Sequence, residues 1–455
     1  MNSMQRLRSH NLDTLVMVML IAIALTRGAL YAVVTPPFDS PDEKGHYDYV
    51  ASLHDTGGAK IQGKEQRQPP LYYWMTDPAY ALFANQPPYL DVYALAAAKP
   101  SLLSLIAVRL VSVLMGAATV PLAYWAAKTV MPKRPFVYLG TTAFVALVPA
   151  YGWLGASVNN DNLADLVASC SILLLIRVVS RGFSYRRLLG LLGLLATSIA
   201  AKPTIWPLMA AIAAVLVIRA AFPRFAQRPR LGIVAFVGAL AVLTIVAVGP
   251  AHSLLASFFK RWTKPDALSS HGLPYFLSNL DIWPFVYQFK TFWGSFSTDS
   301  VQMPSAAYWV LLVLTLASVA GLLSRVWRAW RASTGRFSFS ALREHANIPA
   351  LVLAVMVLLQ WMVCFGRFYL NDSLRPDQRI AGWDDDFAVL HGRFLFPVII
   401  PIGFLFMWGM EAILPPSWSK RGTWAMIALL IAIDWTALLT LALGGHSWQI
   451  YPGQG

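Results

Sequence analysis

The sequence predicts an all-α, polytopic integral membrane protein. Three observations carry this. Of 455 residues, 57% are hydrophobic and only 13% charged, where a soluble chain carries about 25% charged residues. Apolar runs near the length that spans a bilayer recur along the chain. Basic residues cluster in alternate loops between those runs.

The runs fall at 15–34, 103–127, 136–154, 162–178, 188–201, 204–220, 231–250, 306–323, 348–366, 394–412 and 423–443, about eleven spans in all. The first is too long for a signal-peptide core and has no small-residue cleavage site, so it reads as a retained span. Lys202-Pro203 splits one apolar stretch into two short helices, because proline cannot continue the ladder and restricts the residue before it. A helix break at that depth must line a cavity or be covered by protein. The whole chain, 1–455, reads as one transmembrane domain with no separate soluble domain.

Orientation follows from the loops. Arg6 and Arg8, Lys128, Lys133 and Arg134, Arg181, Arg186 and Arg187, Arg224, Arg228 and Arg230, Arg325 to Arg343, and Lys420 and Arg421 share one side. The positive-inside rule makes that side cytoplasmic, with the N-terminus inside and the C-terminus outside. The opposite side carries nearly all carboxylates and the long loops, at 35–100, 251–305 and 367–392. Function is expected there, since loops carry sites, and the first loop is expected to hold helices lying in the interface. The net charge of +14 (36 basic minus 22 acidic) is accounted for by the cytoplasmic loops, which attract anionic lipid. Nucleic acid is not an expected partner. Cys170 and Cys364 lie in apolar runs and read as small buried hydrophobes rather than a disulfide.

The densest chemistry follows the first span, in Asp39-Ser40-Pro41-Asp42-Glu43-Lys44-Gly45-His46. Ser40 at N-cap, Pro41 at the first helical position and Glu43 two residues on form a capping box. That reading only starts a helix. The functional reading notes that Asp42 and His46, four apart, share a helix face, and that a cap needs neither His46 nor Asp39. Asn159-Asn160-Asp161-Asn162, with Asp165 beyond, exceeds what capping the fourth span requires. Lys202, Arg393 and Arg109 each read either as interfacial anchors or as ligands of an anion, phosphate above all.

Asp384-Asp385-Asp386 reads as a solvated acidic turn ahead of a divalent-cation site, so metal dependence is doubtful. Asp434, within the last span and with no basic residue near it in sequence, suggests an ion or proton path. There is no Gly-rich phosphate loop, zinc-ligand spacing or nucleophile elbow, which excludes nucleotide-driven transport on this chain.

These residues carry a resemblance. Pro41-Asp42-Glu43-x-x-His46, Gln68-Pro69-Pro70-Leu71-Tyr72-Tyr73, Val158-Asn159-Asn160-Asp161, Ala201-Lys202-Pro203, Phe292-Trp293-Gly294-Ser295-Phe296 with Pro304, and Gly392-Arg393-Phe394-Leu395-Phe396-Pro397 resemble, in order along roughly 10–410, a bacterial family of polytopic membrane proteins of unassigned function. That family is grouped with the GT-C glycosyltransferases, which include protein O-mannosyltransferases and aminoarabinose transferases. The resemblance implies a sugar donor on a polyprenyl phosphate or diphosphate, and a lipid, glycan or protein hydroxyl as acceptor. It also implies a bacterial inner-membrane location and work in envelope assembly. It maps a catalytic acid onto Asp42, with Glu43 beside it, and a second acid onto Asp161; joined to the reading of the residues, the expected catalytic set is Asp42, Glu43 and His46, and the expected substrate-binding set Asp161, Asn160, Lys202, Arg393 and Arg109. Trp283, Trp293, Tyr72 and Tyr73 are candidates for stacking on sugar rings. Lys44 and Gly45 after the acid pair make the motif less negative than a metal site.

Two other classes compete. A transporter or flippase of a lipid-linked or anionic solute would use the same cations and Asp434, but should show paired broken helices in two halves. A non-catalytic assembly factor leaves the acid–histidine helix unexplained.

Overall fold

A computed structural model describes residues 3–58, 61, 65–85, 101–221, 282–297, 300–332, 348–372 and 390–444. The expected span 231–250, the triple aspartate at 384–386, and much of the loops 251–305 and 367–392 lie outside these residues.

The described chain is helical, apart from one short hairpin. In order come α1 (Ser3–Val34), α2 (Glu43–Thr56), α3 (Leu71–Ala81), α4 (Leu102–Val130), α5 (Pro135–Leu147), α6 (Pro149–Leu154), α7 (Asp161–Arg181), α8 (Tyr185–Ala201) and α9 (Trp206–Ala221). After the break come α10 (Trp283–Trp293), an antiparallel hairpin of β1 (Ser295–Phe296) and β2 (Val301–Gln302), α11 (Ser305–Ala332), α12 (Ile348–Asp372), a 3-10 segment (Gly392–Val398), α13 (Ile399–Ile413) and α14 (Ser419–Leu443).

Seven of these helices are long and apolar enough to cross a membrane, and Pro135–Leu147 and Pro203–Leu216 are shorter apolar helices. The fold is all-α and polytopic. α5 is its axis: every residue from Phe136 to Leu147 is buried, and it packs against α1, α4, α13 and α14. α11 and α12 lie at the rim and turn Trp309, Val313, Leu316, Leu351, Leu358 and Met362 outward, as lipid-facing helices do.

The expected span 136–154 is not one helix. It breaks at Val148, which is extended at φ −64°, ψ 118°, because Pro149 follows it and disfavours the helical region there. The break at Lys202-Pro203 occurs where the sequence places it: Lys202 is extended and a turn of 3-10 helix leads into α9.

Ion pairs order the two ends of the bundle. Lys128 with Asp13, and Arg134 and Arg325 with Glu411, lie at one end. Arg109, in the same helix as Lys128, pairs with Glu43 at the other. Nineteen residues of α4 separate these levels, roughly 28 Å at 1.5 Å per residue. Lys128, Arg134 and Arg325 therefore lie at one end of the bundle and Glu43, with its motif, at the other.

Asp434 does have a partner. It accepts a hydrogen bond from Arg27 in α1, with the Tyr31 hydroxyl at 3.5 Å, and Arg27 also donates to the Val148 carbonyl at 3.3 Å. Both charges are almost fully buried. A buried acid among apolar helices needs a cation, and here the first span supplies one. The pair ties α1 to α14 and caps the carbonyl at the α5–α6 break.

Candidate active site

The site is built on a buried ion pair. Arg109, in the second turn of α4, places Nε at 2.7 Å and Nη2 at 2.6 Å from the two oxygens of Glu43. Its remaining N–H groups donate to the carbonyls of Ala32 (2.8 Å), Thr35 (2.7 Å) and Pro36 (2.9 Å). The Glu43 carboxylate also accepts from the backbone N–H of Val158 (3.0 Å) and Phe38 (3.1 Å). A guanidinium has five donors and a carboxylate about four acceptor positions, and here all are taken. Glu43 and Arg109 hold the end of α1, the first loop, α4 and the α6–α7 loop together. Neither has a polar atom left for a ligand, so the expected catalytic role of Glu43 and phosphate role of Arg109 find no geometry.

The capping box does not form either. α2 begins at Glu43 with Asp42 as N-cap, and no side chain caps it. Ser40 is not the cap, and its hydroxyl is buried without a partner. Arg109 has taken the Glu43 carboxylate that the box requires. Asp42 sits in the left-handed region at φ 63°, ψ 0°, a conformation that non-glycine residues other than Asn and Asp seldom adopt.

Freed from capping, the Asp42 carboxylate accepts from Arg393 Nη2 at 3.0 Å. Burial alone would raise its pKa, but the guanidinium, with Lys202 nearby, holds it below the ordinary aspartate value. One turn on, His46 is fully buried, and its Nδ1 is 2.8 Å from the Tyr73 hydroxyl. Burial first, then the positive charge of Lys202, pushes His46 down to about 3, so it is neutral at physiological pH.

A second carboxylate–cation pair faces the first. Asp161 opens α7 and lies 2.8 Å from Lys202 Nζ. Asn159 joins the elements around them. Its side-chain carbonyl accepts from Lys202 at 3.4 Å and from the Asp161 N–H at 2.9 Å. Its amide donates to the Pro41 carbonyl at 3.4 Å, and its own N–H donates to the Tyr72 hydroxyl at 3.0 Å. Asn160 turns toward the first loop and donates to Gln68 at 3.1 Å, while its buried carbonyl oxygen has no partner.

Arg393 rides on the 3-10 segment. His391 Nδ1 accepts from the Arg393 N–H at 3.0 Å, Gly392 N–H donates to Thr291 at 2.8 Å, and Gln360 donates to the Phe394 carbonyl at 2.8 Å. Gly392 allows a close approach to α10: a Cβ there would stand 2.2 Å from the Phe292 nitrogen. Arg393 gives only Nη2 to Asp42; its Nε and Nη1 are buried and unpaired. Arg393 also lines a narrow cleft of about 10 Å³, with Tyr151, Asn159, Asp161, Asp165 and Phe396.

Asp42 and His46, at the start of α2, thus meet Asp161, Lys202 and Arg393, so that four separate segments come to one place. Asn159, Asp165, Tyr72 and Tyr73 also build it, and sequence reasoning did not give them these parts. The four-residue spacing of Asp161 and Asp165 was the available signal for Asp165. Tyr72, Tyr73 and Trp293 are buried in the protein, which removes them as sugar-stacking surfaces; Trp283 is exposed. Among the described residues, no group of three or more His, Cys, Asp or Glu side chains is placed to hold a metal ion.

No family model and no curated protein matches the sequence. Among solved structures, the chain is similar to ArnT from Cupriavidus metallidurans bound to undecaprenyl phosphate, at 16% identity and a TM-score of 0.45, covering 94% of this chain and 75% of that one. The apo form of the same protein gives 14% identity and a TM-score of 0.46 over the same shares. An oligosaccharyltransferase from Archaeoglobus fulgidus, in complex with Zn and sulfate, gives 11% identity and a TM-score of 0.42, covering 92% of this chain and 52% of that one.

Proposed function

We propose that this protein is a membrane glycosyltransferase that moves a sugar from a polyprenyl-phosphate carrier to an acceptor hydroxyl, on the extracytoplasmic face of a bacterial inner membrane. One observation carries the reading. Asp42 pairs with Arg393 and Asp161 with Lys202, the two pairs close enough to act on one another electrostatically, and Arg393 keeps two buried donors unpaired. Buried guanidinium donors without partners are costly, and a phosphate of the donor supplies the missing acceptors. The motif resemblance points to the same donor class.

The chemistry follows from the pairing. The donor phosphate draws Arg393 from Asp42 and Lys202 from Asp161. Asp42, no longer neutralised, accepts the proton of the acceptor hydroxyl as its oxygen attacks the anomeric carbon. The bond between that carbon and the phosphate oxygen breaks, and its electron pair leaves with the phosphate, where Arg393 and Lys202 stabilise the charge. A single displacement of this kind inverts the anomeric centre. The polyprenyl tail stays in lipid while the sugar reaches the cleft. A transporter reading drew on Asp434, whose carboxylate is neutralised by Arg27.

The test is Asp42→Asn. Loss of a general base costs roughly 10²–10⁴ in rate, and asparagine tolerates the same backbone conformation. Turnover of a polyprenyl-phosphate sugar at the wild-type rate by a folded Asp42→Asn protein would remove Asp42 from the mechanism.

A further inference from the structure

His46 is gripped on one side and unpaired on the other. Its Nδ1 is 2.8 Å from the Tyr73 hydroxyl, and its ring stacks on Tyr73 with centroids 5.9 Å apart. Tyr73 is itself stacked on Tyr49 at 3.6 Å. This column holds the imidazole in plane. The second ring nitrogen, Nε2, has no hydrogen-bond partner among the described residues, although Asp42, Asp161, Lys202 and Arg393 all act on the ring electrostatically.

The direction of the Tyr73–His46 bond decides what Nε2 can do. Tyr73 is fully buried, and His46 is the one hydrogen-bond partner of its hydroxyl among the described residues. Were Nδ1 the donor, the phenol proton would be left unpaired in the interior, at the full desolvation cost of a buried donor. With Tyr73 as donor, both groups are satisfied. Nδ1 is then the acceptor, and a neutral imidazole must carry its proton on Nε2.

We infer that Tyr73 fixes His46 in the Nε2–H form, and that this N–H recognises a hydroxyl of the transferred sugar. The inference rests on the transferase reading above and adds the part of the donor that His46 reads. The phosphate has Lys202 and Arg393. A neutral N–H one turn from Asp42 is suited to an uncharged oxygen beside the reacting carbon: it donates without competing for the phosphate. Tyr73 acts through His46 and is a positioning residue.

Two measurements test this. In protein labelled with 15N at histidine, the His46 resonances are identified among the eight histidines by their loss in His46→Gln. At neutral pH they should show protonated Nε2 and unprotonated Nδ1, and Tyr73→Phe should shift the population toward Nδ1–H. A wild-type ring protonated at Nδ1, or a tautomer indifferent to Tyr73→Phe, overturns the inference.

The second measurement compares binding of bare polyprenyl phosphate with that of a panel of polyprenyl-phosphate hexoses. His46→Leu should weaken the sugar-bearing carrier roughly tenfold, the scale of one hydrogen bond, and leave the bare carrier unchanged. His46→Gln, which keeps a donor, should recover part of the loss. Equal weakening of both carriers would assign His46 to the phosphate, and no weakening would assign it to neither; both overturn the inference. If wild-type protein binds neither carrier, the transferase reading itself fails and the sugar falls with it, while the tautomer result stands alone.

Discussion

Arg393 reaches Asp42 across 351 positions of sequence, at 3.0 Å, and spends only one of its three nitrogens on the contact. The pair is thus a resting state with capacity to spare. A stronger acceptor can displace the carboxylate without stripping the guanidinium of all its bonds.

The pH dependence of kcat/KM should show this pair. Asp42 must be ionised to act as a base, and Arg393 holds its pKa below the ordinary aspartate value against the effect of burial. Activity should therefore rise with pH along an acid limb lying below the ordinary aspartate range. Arg393→Met removes the main stabilising charge, so the limb should move to higher pH. A limb that stays in place in the variant would show that Asp42 is not the titrating base. The same sign governs stability: a depressed carboxyl stabilises the fold above its unfolded pKa, and that contribution disappears as pH falls through the folded value.

Lys202→Met and Arg393→Met should each weaken binding of bare polyprenyl phosphate by roughly 10- to 100-fold, as the loss of a charge-assisted contact does. If both cations hold one phosphate, the double variant should fall short of the product of the singles. Isothermal titration of the four proteins checks this, and independent effects would mean two separate anion contacts.

Arg109 and Glu43 should behave differently. Both are almost completely buried and fully hydrogen-bonded. Removing one partner strands the other, at a cost of about 3–5 kcal/mol. Arg109→Met and Glu43→Gln should lower the thermal midpoint in detergent sharply. The folded fraction of each should keep its affinity for the carrier. Affinity lost at unchanged stability would restore Arg109 to the phosphate site.

The Arg27–Asp434 pair allows a reversal test. Arg27→Met alone and Asp434→Leu alone should each destabilise, because each leaves a buried charge without its partner. The double variant should recover most of the loss, since apolar replacement of both partners is often neutral. A double variant as unstable as the worse single would mean that the pair orders α1 against α14 in a way packing cannot replace.

The helices were legible because hydropathy is local: ten of the expected runs coincide with described helices, seven of which are long and apolar enough to cross a membrane. The exception inside them, the break at Val148, was signalled by Pro149 but masked by uninterrupted apolar composition on both sides. The site was legible as chemistry and illegible as pairing. Asp42, Asp161, Lys202 and Arg393 announce themselves by charge at the ends of apolar runs. That Glu43 belongs to Arg109, 66 positions away, and Asp434 to Arg27, 407 away, is a property of packing, which local spacing does not contain. The capping box failed for the same reason: Arg109 and the backbone N–H groups of Phe38 and Val158, all outside α2, take the Glu43 carboxylate that the box requires. Tyr72 and Tyr73 looked like ligand surfaces because aromatic type says nothing about which side is covered.

The backbone at residue 42 narrows the chemical alphabet of that position before any reaction is considered. With φ at 63°, it admits glycine, asparagine and aspartate with least strain, and only one of those three ionises. A glutamate there would incur about 1–2 kcal/mol of left-handed strain and carry its charge a bond further out. The carboxylate that faces Arg393 is therefore short by conformational necessity, and variation of this position in a working protein is confined to losing the charge rather than lengthening its reach.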